Sequence, residues 1–290
     1  MRVHRHEAAR KAVEEVTGVP CHWSAVDPLH APGAAGVTLI APSAAAWSSP
    51  VGDTGVLVLH GFTGNPTAMR PLAERLASAG HRVELPRLPG HGTTWKDLAT
   101  TRWDDWAAEA AAAFDRLGVR PRAIVGLSMG GTLGLHLAEQ RPRDVVALVI
   151  INPAVTFRHP LRPALGLLKR VVPTFPGVGN DIARAGVDEH PYPRVPLGAA
   201  ASLFDAQDAV RARLDRVTAP TLVLTSRTDH TVDPADSGIV LRGLTAAVTE
   251  HVWLERSFHV ATLDYDADLI ADRTIAWIDS AMAVASPADT

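Results

Sequence analysis

Three side chains could together do covalent acyl chemistry: Ser128, Asp229 and His259. Ser128 sits in Gly126-Leu127-Ser128-Met129-Gly130, between the apolar run Ala123-Ile124-Val125 and a helix-like run from Met129 to about Glu139. Strand, tight turn and helix is the context in which a G-x-S-x-G pentapeptide lifts a serine hydroxyl out at the carboxyl edge of a sheet. Gly126 and Gly130 suit a turn whose crowded backbone leaves no room for a Cβ. A serine hydroxyl is a poor nucleophile until a base takes its proton, and that base needs a third group to fix its tautomer. In the chain order Ser, acid, His, the acid is expected at Asp229, just past the apolar run Thr221–Leu224, and the base at His259, between the last strand and the last helix. Asp233 and Asp236 share the Asp229 loop as competitors; Pro234 follows the first, and the second could cap the next helix. Among the 13 histidines, His60, His136, His230 and His251 are read as structural, and His91, in a Gly-flanked loop, as a pocket-edge or turn residue.

An oxyanion forming at such a serine needs two aimed N–H donors. One is the backbone N–H of Met129, the residue after the nucleophile, at the positive end of the following helix. The other is expected at Phe62, in the loop His60-Gly61-Phe62 after the run Val56–Leu59.

The elements that must hold these groups follow from periodicity. Continuous apolar runs at Val56–Leu59, Ala123–Gly126, Val145–Asn152 and Thr221–Leu224 read as buried parallel strands, with further strands at His81–Pro86 and Glu250–Leu254. Helices are expected from Asn65-Pro66 to about Ala79, from a cap at Thr101 or Asp104 to about Leu117, at Met129–Gln140, Asp236–Gly243 and from Ala267 to about Val284. The alternation implies an α/β chain with a mostly parallel, doubly wound sheet. It breaks from 154 to 205, where seven prolines lie between Pro160 and Pro196 and an apolar stripe runs through Leu161, Leu165, Leu168 and Val172. An insertion there, after a central strand, is expected as a cap above Ser128. The division is therefore a core of 55–153 and 206–284, a cap of 154–205, and an amino-terminal arm of 1–54. That arm has no assigned role, and holds a weak helix at His6–Val16 and a short strand at Gly36–Ile40.

Composition narrows the class. With 47% hydrophobic and 20% charged residues, the 290-residue chain reads as globular. A net charge of −3 carries no nucleic-acid footprint. Cys21 is the one cysteine, which excludes an internal disulfide and gives no zinc pattern. No metal is expected. The charged stretch Met1–Glu15 lacks a secretory apolar region, and a cytoplasmic protein is the expectation.

The motif strings His60-Gly61-Phe62-Thr63-Gly64-Asn65-Pro66, Arg87-Leu88-Pro89-Gly90-His91-Gly92, Gly126-Leu127-Ser128-Met129-Gly130-Gly131 and His259-Val260-Ala261-Thr262-Leu263-Asp264 resemble the bacterial monoacylglycerol lipase and carboxylesterase branch of the α/β-hydrolases, over about Gly55 to Met282. The resemblance implies the α/β-hydrolase fold with a small cap, and a serine esterase acting on short- to medium-chain esters or monoacylglycerols through an acyl-enzyme, without a cofactor. It further implies that Val178 and Glu189, in the stretch from Val178-Gly179-Asn180-Asp181-Ile182 to Tyr192, are the cap's substrate contacts. An apolar cap fits transient contact with a lipid surface. Two departures stand out: Phe258 takes a place often held by Gly or Tyr, and the region before Gly55 is longer than usual. A thioesterase, lactonase or amide hydrolase would use the same residues, and a small-molecule binding protein could share the scaffold.

Overall fold

The computed structural model describes residues 41–158, 162, 173–177 and 179–285. The expected helix at His6–Val16, the strand at Gly36–Ile40, the apolar stripe Leu161, Leu165, Leu168 and Val172, and Val178 lie outside the described residues.

Seven strands form one sheet: β1 (Trp47–Ser49), β2 (Gly55–Leu59), β3 (Arg82–Leu85), β4 (Arg122–Leu127), β5 (Val145–Ile151), β8 (Thr221–Ser226) and β9 (Thr249–Leu254). Their order is β1-β3-β2-β4-β5-β8-β9, parallel throughout except for the edge strand β1, which runs antiparallel to β3. The central strands are apolar at nearly every position because both of their faces are covered. Along β2, Val56 and Val58 join one core while Leu57 and Leu59 join the other, as a side-chain period of two requires. Helices α1 (Arg70–Ser78) and α7 (Ala267–Ala285) close the first face through Leu72, Leu76, Ile270 and Ile278. Helices α3 (Trp103–Arg116), α4 (Met129–Gln140), α5 (Leu197–Arg211) and α6 (Ala235–Gly243) close the second, with Trp106, Phe114, Leu133, Leu203 and Val240 buried between them and the sheet.

Some local expectations change. The run from Pro66 splits into a single 3₁₀ turn, Pro66–Ala68, and then α1. A short helix α2 (Trp95–Ala99) precedes α3, started by a capping box in which the Thr94 hydroxyl accepts from Asp97 N–H and Asp97 reaches back to Thr94 N–H. Neither Thr101 nor Asp104 caps α3. Its N-cap is Arg102, whose N–H donates to the Asp105 carboxylate at 2.8 Å, while the Thr101 hydroxyl is engaged with Leu98 and Pro89 carbonyls and Trp106 Nε1–H. Asp236 does not cap α6 either. Its carboxylate accepts from Val155 N–H, Thr156 N–H and the Thr156 hydroxyl, pinning the chain that leaves β5.

Between β5 and β8 the chain makes a separate two-stranded antiparallel ribbon, β6 (Thr174–Pro176) with β7 (Arg194–Pro196), and then enters α5, which runs across the expected boundary between 205 and 206.

Candidate active site

Because β2, β4, β5, β8 and β9 are parallel, their carboxyl ends open on one edge of the sheet, where α/β folds place their sites. At the end of β4, Ser128 has φ 55° and ψ −118°, a conformation unusual for any residue but glycine, and is the N-cap of α4. Its N–H donates to the Ile151 carbonyl at 2.9 Å, and its own carbonyl accepts from Gly131 and Thr132 N–H, so both sides of the turn are held. The glycines do what the pentapeptide requires. A Cβ on Gly126 would come within 2.2 Å of the Gly130 carbonyl oxygen, and one on Gly130 within 2.2 Å of that of Leu59. Ser128 is nearly covered, at 8% exposure.

Asp229 and His259 are brought together. His259 Nδ1 lies 2.7 Å from Asp229 Oδ2, and both side chains are buried. The other carboxylate oxygen of Asp229 accepts from Thr231 and Val232 N–H at 2.9 and 2.7 Å, so the acid cannot swing away. A carboxylate at Nδ1 makes that nitrogen the donor and leaves Nε2 free to take a proton. Burial alone would lower the His259 pKa. The charge and hydrogen bond of Asp229, with the more distant Glu189 and Asp181, outweigh it and raise the pKa above the ordinary imidazole value. Asp233, by contrast, is exposed, its Oδ1 spent on Ala235 N–H.

The loop after β2 faces the same place. A Cβ on Gly61 would sit 3.5 Å from Ser128 Cβ, so the loop carrying Phe62 runs directly alongside the serine. Met129 is the first residue of α4, where helix N–H groups have no helical acceptor. Behind Phe62 stands a ring cluster. His91 meets Phe62, Trp106 and His60 edge-on at centroid distances of 5.9, 5.5 and 5.1 Å. His91 is therefore a buried turn histidine rather than a pocket-edge residue. Leu88 N–H donates to His60 Nε2 at 3.2 Å, so Nδ1 carries the proton and donates to the Gly61 carbonyl. Burial pushes the His60 pKa down to about 4, and burial likewise pushes that of His91 well below the imidazole range, leaving both rings neutral supports of the loop. His136 meets Trp103 and Gln140, and His251 meets Thr225 and Trp253.

Glu189 comes in from the segment between β6 and β7. It is 8% exposed, its Oε1 accepts from Asn180 N–H at 2.9 Å, and its Oε2 lies 3.2 Å from where a Gly64 Cβ would be. Loss of solvation raises its pKa above the usual carboxylate range, against the pull of the Asn180 N–H and of His259.

Three side chains missed by sequence reasoning frame these groups. Asn152, at φ 45° just past β5, donates to the His259 carbonyl at 2.8 Å and to Ser226 Oγ, and accepts from Ser226 N–H. Asp181 accepts from His259 N–H and His230 N–H, and Asp264 accepts from Phe258, Ala183, Arg184 and Tyr265 N–H. The only advance signals are an asparagine at the end of an apolar strand and two acids inside the quoted strings, Asp264 beside the base and Asp181 in the insertion. Phe258, at the departure noted above, stands edge-on to His230 with centroids 4.6 Å apart.

An imidazole held in one tautomer by a buried carboxylate is the group that can take a proton from a serine hydroxyl, and Ser128 lies at the same edge of the sheet. Among the described residues no group of acids, histidines or cysteines is arranged to hold a metal ion.

Known proteins resemble this chain in sequence and fold. The model for the family described as "Serine aminopeptidase, S33" matches residues 53–266. A thermostable monoacylglycerol lipase of Bacillus sp. (strain H-257) is 40% identical over 233 residues, covering 77% of this chain and 90% of the relative. A carboxylesterase of Bacillus subtilis (strain 168) is 28% identical over 222 residues, covering 76% and 89%. Among solved structures, one from work on the metagenome-derived lipolytic enzymes LipS and LipT superposes with a TM-score of 0.80 at 39% identity, covering 83% of this chain and all of the other. With the sheet, the elbow and these likenesses together, the chain belongs to the serine aminopeptidase S33 family of serine hydrolases, in the bacterial monoacylglycerol lipase and carboxylesterase branch of the α/β-hydrolases.

Proposed function

We propose that the protein is a serine esterase that hydrolyses monoacylglycerols and related esters of short to medium acyl chains through an acyl-enzyme intermediate. The observation that carries this is the buried 2.7 Å pair of His259 Nδ1 and Asp229 Oδ2 at the same sheet edge as a serine strained at a helix N-terminus. In this reading Ser128 attacks the ester carbonyl and His259 takes its proton. The N–H groups of Phe62 and Met129 hold the oxyanion, and His259 then protonates the leaving alcohol. Water repeats the sequence on the acyl-enzyme, releasing the fatty acid. The likeness to a monoacylglycerol lipase supports the glycerol ester as substrate. The 154–205 insertion would serve as the cap, with transient contact to a lipid surface delivering the acyl chain.

The test is a serine-directed phosphonate together with p-nitrophenyl butyrate. One phosphonate should add per chain and abolish turnover, and Ser128→Ala should prevent both. Labelling that persists in the alanine variant overturns the assignment. The family's description as an aminopeptidase favours a second reading, amide hydrolysis, by the same residues. Amino-acid p-nitroanilides cleaved faster than esters would establish that reading instead.

Glu189 tests the substrate class. Its burial within the field of His259 supports a role as acceptor for a glycerol hydroxyl. Glu189→Gln should weaken monoacylglycerol hydrolysis about tenfold or more, the scale of a lost hydrogen bond to a charged group, and leave p-nitrophenyl esters, which carry no glycerol, nearly unchanged. A steady-state comparison of the two substrates decides it; equal losses would remove Glu189 from head-group recognition. Val178 is proposed as its apolar companion in the cap.

A further inference from the structure

One carboxylate touches both loops that carry the acid–base pair, yet it belongs to neither. Asp181 lies in the segment between β6 and β7. Its Oδ2 accepts from His259 N–H at 3.1 Å and from His230 N–H at 2.9 Å, and its Oδ1 lies 2.7 Å from His230 Nδ1. Its backbone carbonyl accepts from Val260 N–H at 3.0 Å. His230 directly follows Asp229, so a single side chain spans the residue after the acid and the base itself.

From the opposite side, Asn152 fixes the His259 carbonyl at 2.8 Å. The backbone of the base is thus gripped at its N–H by the insertion and at its carbonyl by the sheet. Asp264 repeats the pattern one turn on, its Oδ2 accepting from Phe258 N–H at 2.9 Å and from Ala183 N–H at 2.7 Å. The 180–184 stretch is therefore fastened to the His259 loop by two carboxylates. At its other end the same segment is held by Asn65, whose side-chain amide donates to the Glu189 carbonyl at 3.0 Å.

Resting on the serine-esterase reading, we propose that Asp181 is a positioning residue: by holding the backbone of His259 and of His230 on one carboxylate, it sets the separation and direction of the His259–Asp229 pair, and so makes the insertion part of the catalytic geometry rather than only its roof. The backbone grip and the charge of Asp181 are separable. Both backbone donors converge on one oxygen, so an amide at this position keeps an acceptor for them. The negative charge is what an amide loses. The charged groups that act on His259 are Asp229, hydrogen-bonded to the ring, and Glu189 and Asp181 through their fields, all of which favour its protonated form.

The test compares Asp181→Asn and Asp181→Ala in the full chain, with p-nitrophenyl butyrate as substrate so that glycerol recognition plays no part. Asp181→Ala should lower kcat about 100-fold, the scale of a catalytic group misplaced by about an ångström, with little change in KM. Asp181→Asn should restore most of that loss. In both variants the acid limb of kcat/KM should move to lower pH, because one of the three carboxylates that favour imidazolium has gone. The low-field proton resonance of His259 Nδ1–H should be retained in the Asn variant and broadened or lost in the Ala variant.

Wild-type kcat and an unmoved limb in Asp181→Ala would overturn the proposal, and so would a loss in Asp181→Asn as deep as in Asp181→Ala. Should Asp181→Ala fail to fold, Asp181→Ser takes its place: its short hydroxyl cannot span both backbone donors, so a lowered kcat with KM little changed supports the role, and wild-type kcat refutes it. Failure of the underlying reading looks different. A wild-type protein that neither turns over the ester nor takes phosphonate at Ser128 is not this esterase, and the Nδ1–H resonance would still show whether Asp181 orders the pair.

Discussion

Asp229 and Asp233 share one loop but not one environment. Asp229 is sealed in, with one oxygen on the imidazole and the other on two backbone N–H groups, so its charge is fixed where it can hold a single tautomer of His259. Asp233 is 57% exposed in its side chain and faces Arg158 at 3.7 Å, an arrangement worth little in water. Asp229→Asn should therefore cut kcat by about 10⁴, the scale for an amide that favours the wrong tautomer. Asp233→Asn should stay within a few fold, as measured by ester turnover. The same surroundings set the pH response. His259 must be neutral to accept the serine proton, and its pKa is raised above the ordinary imidazole value because Asp229, Glu189 and Asp181 outweigh burial. Activity should be full above that pKa and fall as pH drops through it. The acid limb of kcat/KM is accordingly expected as a single ionisation centred above about 6.5, and a pH–rate profile on p-nitrophenyl butyrate checks it.

The elbow is the element with the least tolerance for change. Ser128 keeps its φ of 55° where α4 packs onto β2 and β4, and the two glycines are points of close backbone approach in that packing. Gly126→Ala and Gly130→Ala each place a Cβ 2.2 Å from a backbone oxygen, and backbone cannot yield as a side-chain tip can. Each is expected to cost at least the roughly 1–3 kcal/mol of an overpacked core, read as a lowered denaturant midpoint, and to slow phosphonate labelling of Ser128 much more than stability alone explains. The elements around the elbow were legible in proportion to their burial. Strands β2, β4, β5 and β8 read as unbroken apolar runs because both faces are covered. The three-residue strands β1, β6 and β7 carry no such run, and α2 is only five residues long, so nothing periodic marked them. The start of α3 departs from expectation because propensity favours Thr101 and Asp104 as caps, whereas the Thr101 hydroxyl is engaged by the Leu98 and Pro89 carbonyls and Trp106 Nε1–H.

At the scale of the whole molecule, the legible parts of the site are those that a strand end announces. Ser128, Asp229 and His259 each follow a readable strand, so chain order and a parallel topology suffice to bring them to one edge of the sheet. Asp181 and Asn152 were not legible, because they hold mainly the backbone of residues far along the chain, and backbone N–H and carbonyl groups leave no trace in side-chain pattern. The same long-range fastening bears on how the insertion folds. Tyr192 is 2% exposed and lies in the same buried cluster as Trp106, Leu133 and Leu203. Its hydroxyl accepts from Thr93 N–H and donates to the Gly90 carbonyl, both at 2.8 Å, and its N–H donates to the Thr63 carbonyl. Helix α5 then runs on from β7 straight into the core. A segment that shares its core in this way should not unfold by itself. Chemical unfolding followed by tryptophan fluorescence and by far-ultraviolet circular dichroism should give one coincident transition. Tyr192→Phe keeps the ring but strands the Thr93 N–H and the Gly90 carbonyl, so it should lower the stability of the entire chain by about 1–3 kcal/mol with both probes still superimposed. Two separated transitions, or a variant that shifts one probe and not the other, would show the insertion to be an independent unit laid over a core that stands without it.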